Sequence, residues 1–265
     1  MKKLFISADI EGTCGILHWD ETIKEKSDFT YFARQMTREV AAACKGAFQG
    51  GFEDILVRDA HHSARNLLPD LLPPYTRLLR GWAPDPYCMM TGLDSTYDGV
   101  IFTGYHSAAS WDGNPLAHSM DTDLISITIN GEAASELMIN SYTAAYENVP
   151  VLMVTGDEML CRWMNAFSPN TAVVPVSRGV GAASLALHPE EALRRIRETA
   201  QEAVQYKRED CLISLPEYFE VEITFKKHQD AYRNGFYPGV KQMGPHTIFF
   251  ETEDYYEVLR LLHFL

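Results

Sequence analysis

The end of the first hydrophobic segment places the strongest constraint on the fold. Residues 4–6 indicate a buried β-strand, and two carboxylates, Asp9 and Glu11, follow within five residues, with Gly12 directly after them. A buried carboxylate without a partner costs several kcal/mol or loses its charge. The sequence therefore predicts one of two situations: a solvated strand end, or a cation held at this point by both acids.

Strand-like and helical segments alternate along most of the chain, which indicates an α/β fold. Several strands are continuously apolar, as expected in a parallel sheet that is covered on both faces. We therefore expect three layers built around a mixed, largely parallel sheet. Besides the first strand, the main predicted strands are 54–59, 99–106, 124–130 and 149–156, and the main predicted helices are 29–49, 132–146 and 189–207.

The last part of the chain has a different pattern. From about residue 210 onward, segments such as "FEVEITF" at 219–225 alternate polar and apolar residues, which is typical of strands with one exposed face. We predict an α/β metal-binding catalytic domain over 1–209 and a smaller α+β lobe over 210–265. One continuous domain is the alternative.

Composition and charge exclude several classes of partner. The formal net charge of −13 argues against nucleic acid and anionic membrane surfaces, since both need a basic face. No run of 18 apolar residues is present, so no membrane span is predicted. The five cysteines are odd in number and scattered, which favours reduced thiols and a cytoplasmic location.

Acids and imidazoles also follow two other predicted strands. Asp59, His61 and His62 come at the end of the strand at 54–59, and His106 ends the strand at 99–106, with His118 twelve residues later. Because the carboxyl ends of neighbouring parallel strands meet at one edge of a sheet, these side chains are expected to form a cluster. Carboxylates and imidazoles are the ligands of zinc and similar divalent metals. The alternatives are a turn or helix-cap acid, an exposed loop histidine at 61 or 62, and a hydrogen-bonded core histidine at 106.

The predicted helix at 132–146 carries three polar residues at four-residue spacing, Glu132, Glu136 and Asn140, which places them on one face. Glu132 would lie in the first turn, where a carboxylate suits the helix dipole, so we interpret it as structural. Glu136 is expected to be either exposed or turned inward onto a cation.

With these residues identified, the chain resembles the D-aminopeptidases of peptidase family M55, whose opening signature S-x-D-x-E-G stands here as "SADIEG" at 7–12. The resemblance extends over nearly the whole chain. It includes the segments "VRDAHHSARN", "GYHSAAS", "LAHSMD", "ELMINSYTAAY", "VPVLMVTGDE", "VEITF" and "YPGVKQMGPHTIFFET".

The resemblance implies a site of two Zn²⁺ ions per subunit, with other divalent metals as alternatives. It assigns a bridging ligand to Asp9 and the catalytic role to His118, as nucleophile or as general acid/base beside a metal-activated water. His62 directly follows the expected ligand His61, so a swap between the two stays open. Asp59 would orient a ligating imidazole and Asn140 would contact substrate. The remaining ligands implied are Glu11, His61, His106 and Glu136.

The resemblance also implies an activity and an assembly. The expected reaction is hydrolysis of N-terminal D-amino acids, of the D-alanine type, from short peptides or amides, by a ring-shaped homodecamer. Two alternatives remain: a metal-dependent hydrolase of another bond such as a phosphoester, and a non-catalytic oligomeric metal-binding protein.

Overall fold

The computed structural model describes residues 1–265 and contains twelve strands and six α-helices. The strands are β1 (Lys2–Ala8), β2 (Phe52–Asp59), β3 (Thr76–Leu79), β4 (Gly99–Tyr105), β5 (Leu124–Ile129), β6 (Glu132–Ala133), β7 (Val151–Asp157), β8 (Ala172–Val180), β9 (Ala183–Ala186), β10 (Phe219–Phe225), β11 (Lys241–Gln242) and β12 (Thr247–Thr252). The helices are α1 (Phe29–Gln49), α2 (Glu136–Tyr146), α3 (Glu158–Phe167), α4 (Pro189–Ala203), α5 (His228–Asn234) and α6 (Tyr255–Phe264).

Two sheets organise the chain. The larger sheet has the order β3-β2-β1-β4-β7-β8-β9 and is parallel except for the β8–β9 pair at its edge. The smaller sheet has the order β11-β12-β10-β5-β6 and is antiparallel throughout. The predicted α/β class with a largely parallel sheet is therefore confirmed.

Helices cover both faces of the larger sheet, which explains its apolar strands. One core cluster joins side chains of α1 and α4 to one face of the sheet, including Ile6 of β1. A second cluster joins the opposite face, including Phe5, to residues of α2 and α3. A third cluster packs the smaller sheet against α2 and α6. Together these clusters give the predicted three layers, with the smaller sheet outside them.

Helix α2 lies between the two sheets and begins later than the sequence predicted. Nine of its eleven residues are buried, because it packs against both sheets. The prediction that Glu132 belongs to its first turn is wrong. Glu132 lies in β6, which pairs with β5 across a turn in which Asn130 and Gly131 both have positive φ, so Glu136 occupies the first turn instead.

The smaller sheet takes strands from two parts of the chain, since β5 and β6 pair with strands that follow residue 210. The proposed division at 209/210 stays a prediction. No helix has the combination of length and apolar character that crossing a bilayer requires. The five cysteines form no disulfide bonds.

The loop that follows β1 is held in place by a buried acid on α1. Glu39 is 1% exposed, and its Oε1 accepts hydrogen bonds from the Cys14 backbone N–H (3.0 Å) and from Nε2 of Gln35 (2.9 Å). Oε2 of the same carboxyl has no hydrogen-bond partner. Burial raises the pKa of Glu39 to about 7, and the two hydrogen bonds only partly oppose this rise.

We expect Glu39→Gln to stabilise the protein at pH 8 by up to about 3 kcal/mol, since one pKa unit corresponds to about 1.4 kcal/mol. Between about pH 4.5 and 7 the folded state keeps a proton on Glu39 that the unfolded chain releases, so wild-type stability falls as the pH rises. Glutamine resembles the protonated acid and removes this loss. Urea unfolding of both proteins at pH 5 and pH 8 measures the difference in their free energies of unfolding. A gain in stability that is equal at both pH values would contradict the prediction.

Candidate metal centre and active site

The candidate residues lie where three strands of the larger sheet end. β1 is flanked by β2 and β4, and the chain passes from one side of β1 to the other between β3 and β4. Ligands bind to open α/β sheets at such a switch point, beyond the carboxyl ends of the strands. Asp9 follows β1, His61 follows β2 and His106 follows β4, so the sheet topology brings the predicted residues together.

The first group of side chains joins the ends of β1 and β2. His61 Nδ1 lies 3.1 Å from Glu11 Oε2 and 3.4 Å from Asp9 Oδ1. All three side chains are buried. One nitrogen and two carboxylate oxygens thus face one another with little exposure to bulk solvent.

The second group joins β4, the loop after it and the start of α2. His106 Nε2 lies 3.5 Å from Glu136 Oε2, and His118 Nε2 lies 3.5 Å from Glu136 Oε1. The other oxygen of Asp9, Oδ2, is 3.4 Å from His106 Nε2. The carboxylate of Asp9 therefore faces both groups, one through each oxygen.

Backbone carbonyls determine which nitrogen each imidazole presents to the carboxylates. His61 Nε2 contacts the Thr22 carbonyl oxygen (3.0 Å), His106 Nδ1 that of Ser107 (2.9 Å) and His118 Nδ1 that of Leu116 (2.9 Å). A carbonyl oxygen only accepts, so these nitrogens carry the hydrogens. In a neutral ring the opposite nitrogen then carries a lone pair, and in all three histidines this nitrogen faces a carboxylate oxygen. Such an arrangement favours a cation between the nitrogen and the carboxylate.

The pKa values of the clustered side chains also indicate that positive charge is stabilised here. Burial, reinforced by the negative charge of Glu11, raises the pKa of Asp9 to about 7. Although burial alone would lower it, the neighbouring Glu136 raises the pKa of His106 to about 10. Burial also opposes the charged form of Glu11, but His61 lowers the pKa of this acid well below its usual range. The carboxylates thus stabilise positive charge among them.

The donor set suits a borderline divalent metal. Asp9 Oδ2, Glu11 Oε2 and His106 Nε2 are buried and have no hydrogen-bond partner. Two sets of atoms each lie within 4.8 Å of one another, one from Asp9, Glu11 and His61 and the other from the second group described above. Carboxylate oxygen and imidazole nitrogen at these separations match the ligand chemistry of zinc.

A cavity of about 670 Å³ opens onto this cluster. His118 lines it, and its side chain is 14% exposed, whereas that of His106 is fully buried (0%). The two imidazole rings stack with their centroids 4.3 Å apart. Trp19, which also lines the cavity, packs against His118 in a T-shaped arrangement with ring centroids 5.3 Å apart. Of the stacked pair, only His118 is placed to meet a substrate.

Three other predicted positions have different surroundings. His62 lines the cavity with a left-handed backbone (φ 44°), and its ring belongs to neither group of metal-ligating atoms. Asp59 accepts hydrogen bonds from the backbone and side chain of Asn66, whose Nδ2 also donates to the His61 carbonyl oxygen. Asp59 thus supports the loop that carries His61, while the Thr22 carbonyl orients the imidazole itself.

Asn140 lies beneath the cavity and does not line it. Its Nδ2 donates to the hydroxyl of Tyr105 (3.0 Å), and this hydroxyl is 2.7 Å from Oγ of Ser7, the first residue of the "SADIEG" signature. The three side chains form a buried hydrogen-bonded chain that connects β1, β4 and α2. The structure thus gives Asn140 a supporting position, and its predicted contact with substrate stays a prediction.

Sequence reasoning missed two supports of the cluster. Thr22 was not identified, because a backbone carbonyl carries no residue signature. Asp157 accepts hydrogen bonds from the Ser107 backbone N–H (2.6 Å) and hydroxyl (2.7 Å), and also from the Leu160 N–H at the start of α3. An acid between a buried strand and a helix, as in "VTGDE", was the available signal for Asp157.

The sequence matches one family of peptidases from end to end. A sequence model described as the D-aminopeptidase family, peptidase M55, matches residues 1–264. The chain belongs to this family. A D-aminopeptidase from Bacillus subtilis (strain 168) is 31% identical to it over 264 residues, which cover 98% of this chain and 95% of the relative.

A solved structure of an M55 relative has the same fold. The Zn-dependent D-aminopeptidase DppA from Bacillus subtilis, described as a self-compartmentalizing protease, matches with a TM-score of 0.91 at 30% identity. The match covers 98% of this chain and 95% of DppA. The predicted family, fold and enzyme class of this M55 D-aminopeptidase are therefore confirmed.

Proposed function

We propose that this chain is a dinuclear zinc aminopeptidase that removes N-terminal D-amino acids, of the D-alanine type, from short peptides or amides. The observation that carries the proposal is the position of Asp9, with Oδ1 3.4 Å from His61 Nδ1 and Oδ2 3.4 Å from His106 Nε2. A carboxylate that faces two donor groups through opposite oxygens is suited to bridge two metal ions. Family membership and the zinc dependence of DppA support the reaction and the metal.

In this proposal Asp9, Glu11 and His61 would hold one Zn²⁺ ion, and Asp9, His106 and Glu136 would hold the other. Two divalent cations against three carboxylates leave a formal charge of about +1 in an otherwise acidic protein. Mixed imidazole and carboxylate sites also accept Mn²⁺, Co²⁺ or Fe²⁺. His61 is preferred over His62 because only the His61 ring lies with the carboxylates.

His118 is the proposed catalytic residue. When bound, a pair of divalent ions lowers the pKa of a coordinated water and polarises the scissile carbonyl. The Leu116 carbonyl oxygen holds the hydrogen of His118 on Nδ1, so Nε2 is left basic on the side of the ring that faces Glu136. At that position Nε2 can accept a proton and return it to the leaving amine, or attack the carbonyl as a nucleophile.

We also propose a homo-oligomer, for which the description of DppA as self-compartmentalizing is the support. A ring of ten chains remains the more detailed form of this proposal. An assembly that encloses its active sites would restrict access to short or unfolded peptides, in agreement with the proposed substrates.

The proposed function predicts that the purified enzyme, loaded with zinc, releases free D-alanine from D-Ala-D-Ala and leaves L-Ala-L-Ala intact. Chelation is expected to abolish the release, and added Zn²⁺ is expected to restore it. Amino-acid analysis of timed reactions, with metal content measured on the same samples, provides the test. Cleavage of neither dipeptide by enzyme with both metals bound would overturn the D-alanine assignment.

The same samples discriminate the two alternatives. No lysine or arginine lines the cavity, so no cationic side chain would assist the proposed metals in binding a phosphoester, and p-nitrophenyl phosphate is expected to remain intact. Turnover of that ester would favour the other hydrolase. Loss of the fold on chelation, with no hydrolysis across a broad amide panel, would favour a metal-binding protein without catalysis.

A further inference from the structure

A fourth carboxylate lines the cavity and takes no part in the cluster. Asp121 is exposed to the cavity, whereas the three other lining acids, Asp9, Glu11 and Glu136, belong to the proposed ligand set. Lys227, which follows β10, forms its ion pair with Asp123 (3.1 Å) rather than with Asp121. The cavity therefore contains one carboxylate that is neither a proposed metal ligand nor part of a direct ion pair, although the charge of Lys227 acts on it from a greater distance.

The backbone holds Asp121 next to the proposed centre. Met120 adopts a left-handed conformation (φ 64°), and its N–H donates to Glu136 Oε1 (2.8 Å), which ties this turn to a proposed ligand. The Asp121 N–H donates to the Ser119 carbonyl oxygen (2.7 Å). Oδ1 of Asp121 accepts the Asp123 N–H (2.8 Å), which leaves Oδ2 available to a cationic ligand.

An aminopeptidase needs a group that binds the α-amino group of the substrate close to the catalytic residue. The α-amino group is attached to the carbon next to the scissile carbonyl, so its recognition site must lie close to the group that acts on that carbonyl. Asp121 is three residues after His118, a separation that an extended chain spans in about 10 Å and that this turn shortens. An α-amino group has a pKa near 8, so it is cationic at neutral pH.

We propose that Asp121 binds the α-ammonium group of the substrate and thereby restricts the enzyme to peptides with a free N-terminus. This inference rests on the proposed aminopeptidase function. Oδ2 would accept a charge-assisted hydrogen bond from the ammonium group, and the excess negative charge at the cavity wall would disfavour acylated N-termini, which carry no compensating charge. Asp121 is thus a specificity-determining residue for the same reaction.

The test compares wild type with Asp121→Asn, which removes the charge but keeps an oxygen for the Asp123 N–H. We expect KM for D-Ala-D-Ala to rise by about 10- to 100-fold, the range for loss of a charge-assisted hydrogen bond, with kcat changed only a few-fold and zinc content unchanged. Hydrolysis of N-acetyl-D-Ala-D-Ala should not decrease. Asp123→Asn is the matched control, since Asp123 lies in the same loop and does not line the cavity. An unchanged KM in Asp121→Asn would overturn the proposal.

Binding of D-alaninol, an uncleavable amine, separates this inference from the proposed function. Calorimetry is expected to show weaker binding to Asp121→Asn than to wild type by the same 10- to 100-fold factor, and partial recovery in Asp121→Glu, which restores the charge. Since binding does not require turnover, an inactive wild type would overturn the proposed function while this comparison still decides the role of Asp121. Equal binding by wild type and Asp121→Asn would assign amine recognition to the metals instead.

Discussion

His118→Ala is expected to lower kcat for D-Ala-D-Ala by at least about 10²–10⁴-fold, the usual contribution of a positioned acid, base or nucleophile, while both metal ions remain bound. The reason is the difference between two stacked rings: His118 lines the cavity, whereas His106 is fully buried behind it with Nε2 facing two carboxylates. Steady-state kinetics together with metal analysis of the same preparation measure both parts of the prediction.

The matched control for this experiment is His62→Ala. His62 also lines the cavity, but its imidazole lies outside both groups of metal-ligating atoms. Its loss should therefore change kcat only a few-fold. A His118→Ala enzyme that loses one zinc ion would show that His118 is a ligand, because Nε2 also lies within 3.5 Å of Glu136 Oε1. A variant that retains full activity would remove His118 from the mechanism.

Gly12→Ala is expected to destabilise the protein by more than about 3 kcal/mol, above the usual cost of overpacking, and to abolish activity. A Cβ atom at this position would lie 1.8 Å from the carbonyl oxygen of Tyr105, a backbone atom that cannot move aside without shifting β4. The Gly12 N–H donates to the Gly104 carbonyl oxygen (2.8 Å), so this close contact joins the loop after β1 to the strand that leads to His106. A displacement of about 1 Å between ligands can cost 10²-fold in rate.

Gly244→Ala is the matched control, because a Cβ atom there would meet nothing within 4 Å. Urea unfolding of the two variants and of wild type gives the free energies, and the dipeptide assay gives the rates. Gly244→Ala should be close to wild type in both. A Gly12→Ala protein with wild-type stability and rate would show that the backbone at Tyr105 can move aside. It would also contradict the explanation that close packing against Tyr105 requires a glycine at position 12.

The candidate metal-ligating side chains at the strand ends could be identified from sequence because the relevant patterns are local. A buried strand is recognisable from its apolar run, and in a parallel sheet its carboxyl end must lie at the ligand-binding edge. Asp9, His61 and His106 therefore converge as soon as β1, β2 and β4 are neighbours. The strand at Phe219–Phe225 was predicted with its observed bounds for the same reason, since alternation at period two is a local signal.

Other features depend on contacts between residues that are distant in sequence. Glu132 was placed in a helix because its spacing to Glu136 fits a helical period, but pairing with β5 makes it a strand residue. The dipeptide Asn130-Gly131 was the hairpin signal that could have corrected this. Helical spacing and a short hairpin compete locally, and packing of the smaller sheet determines the outcome.

The sequence by itself determined the family, the α/β class and the set of acids and imidazoles that meet beyond β1, β2 and β4. Only the tertiary structure decided how those side chains face one another. His62 has a left-handed backbone and its ring lies outside both candidate ligand groups, whereas the Thr22 carbonyl, 39 positions from His61, orients the His61 imidazole. Side-chain direction depends on backbone dihedrals and on long-range hydrogen bonds, and neither is encoded in the spacing of residue types along the chain.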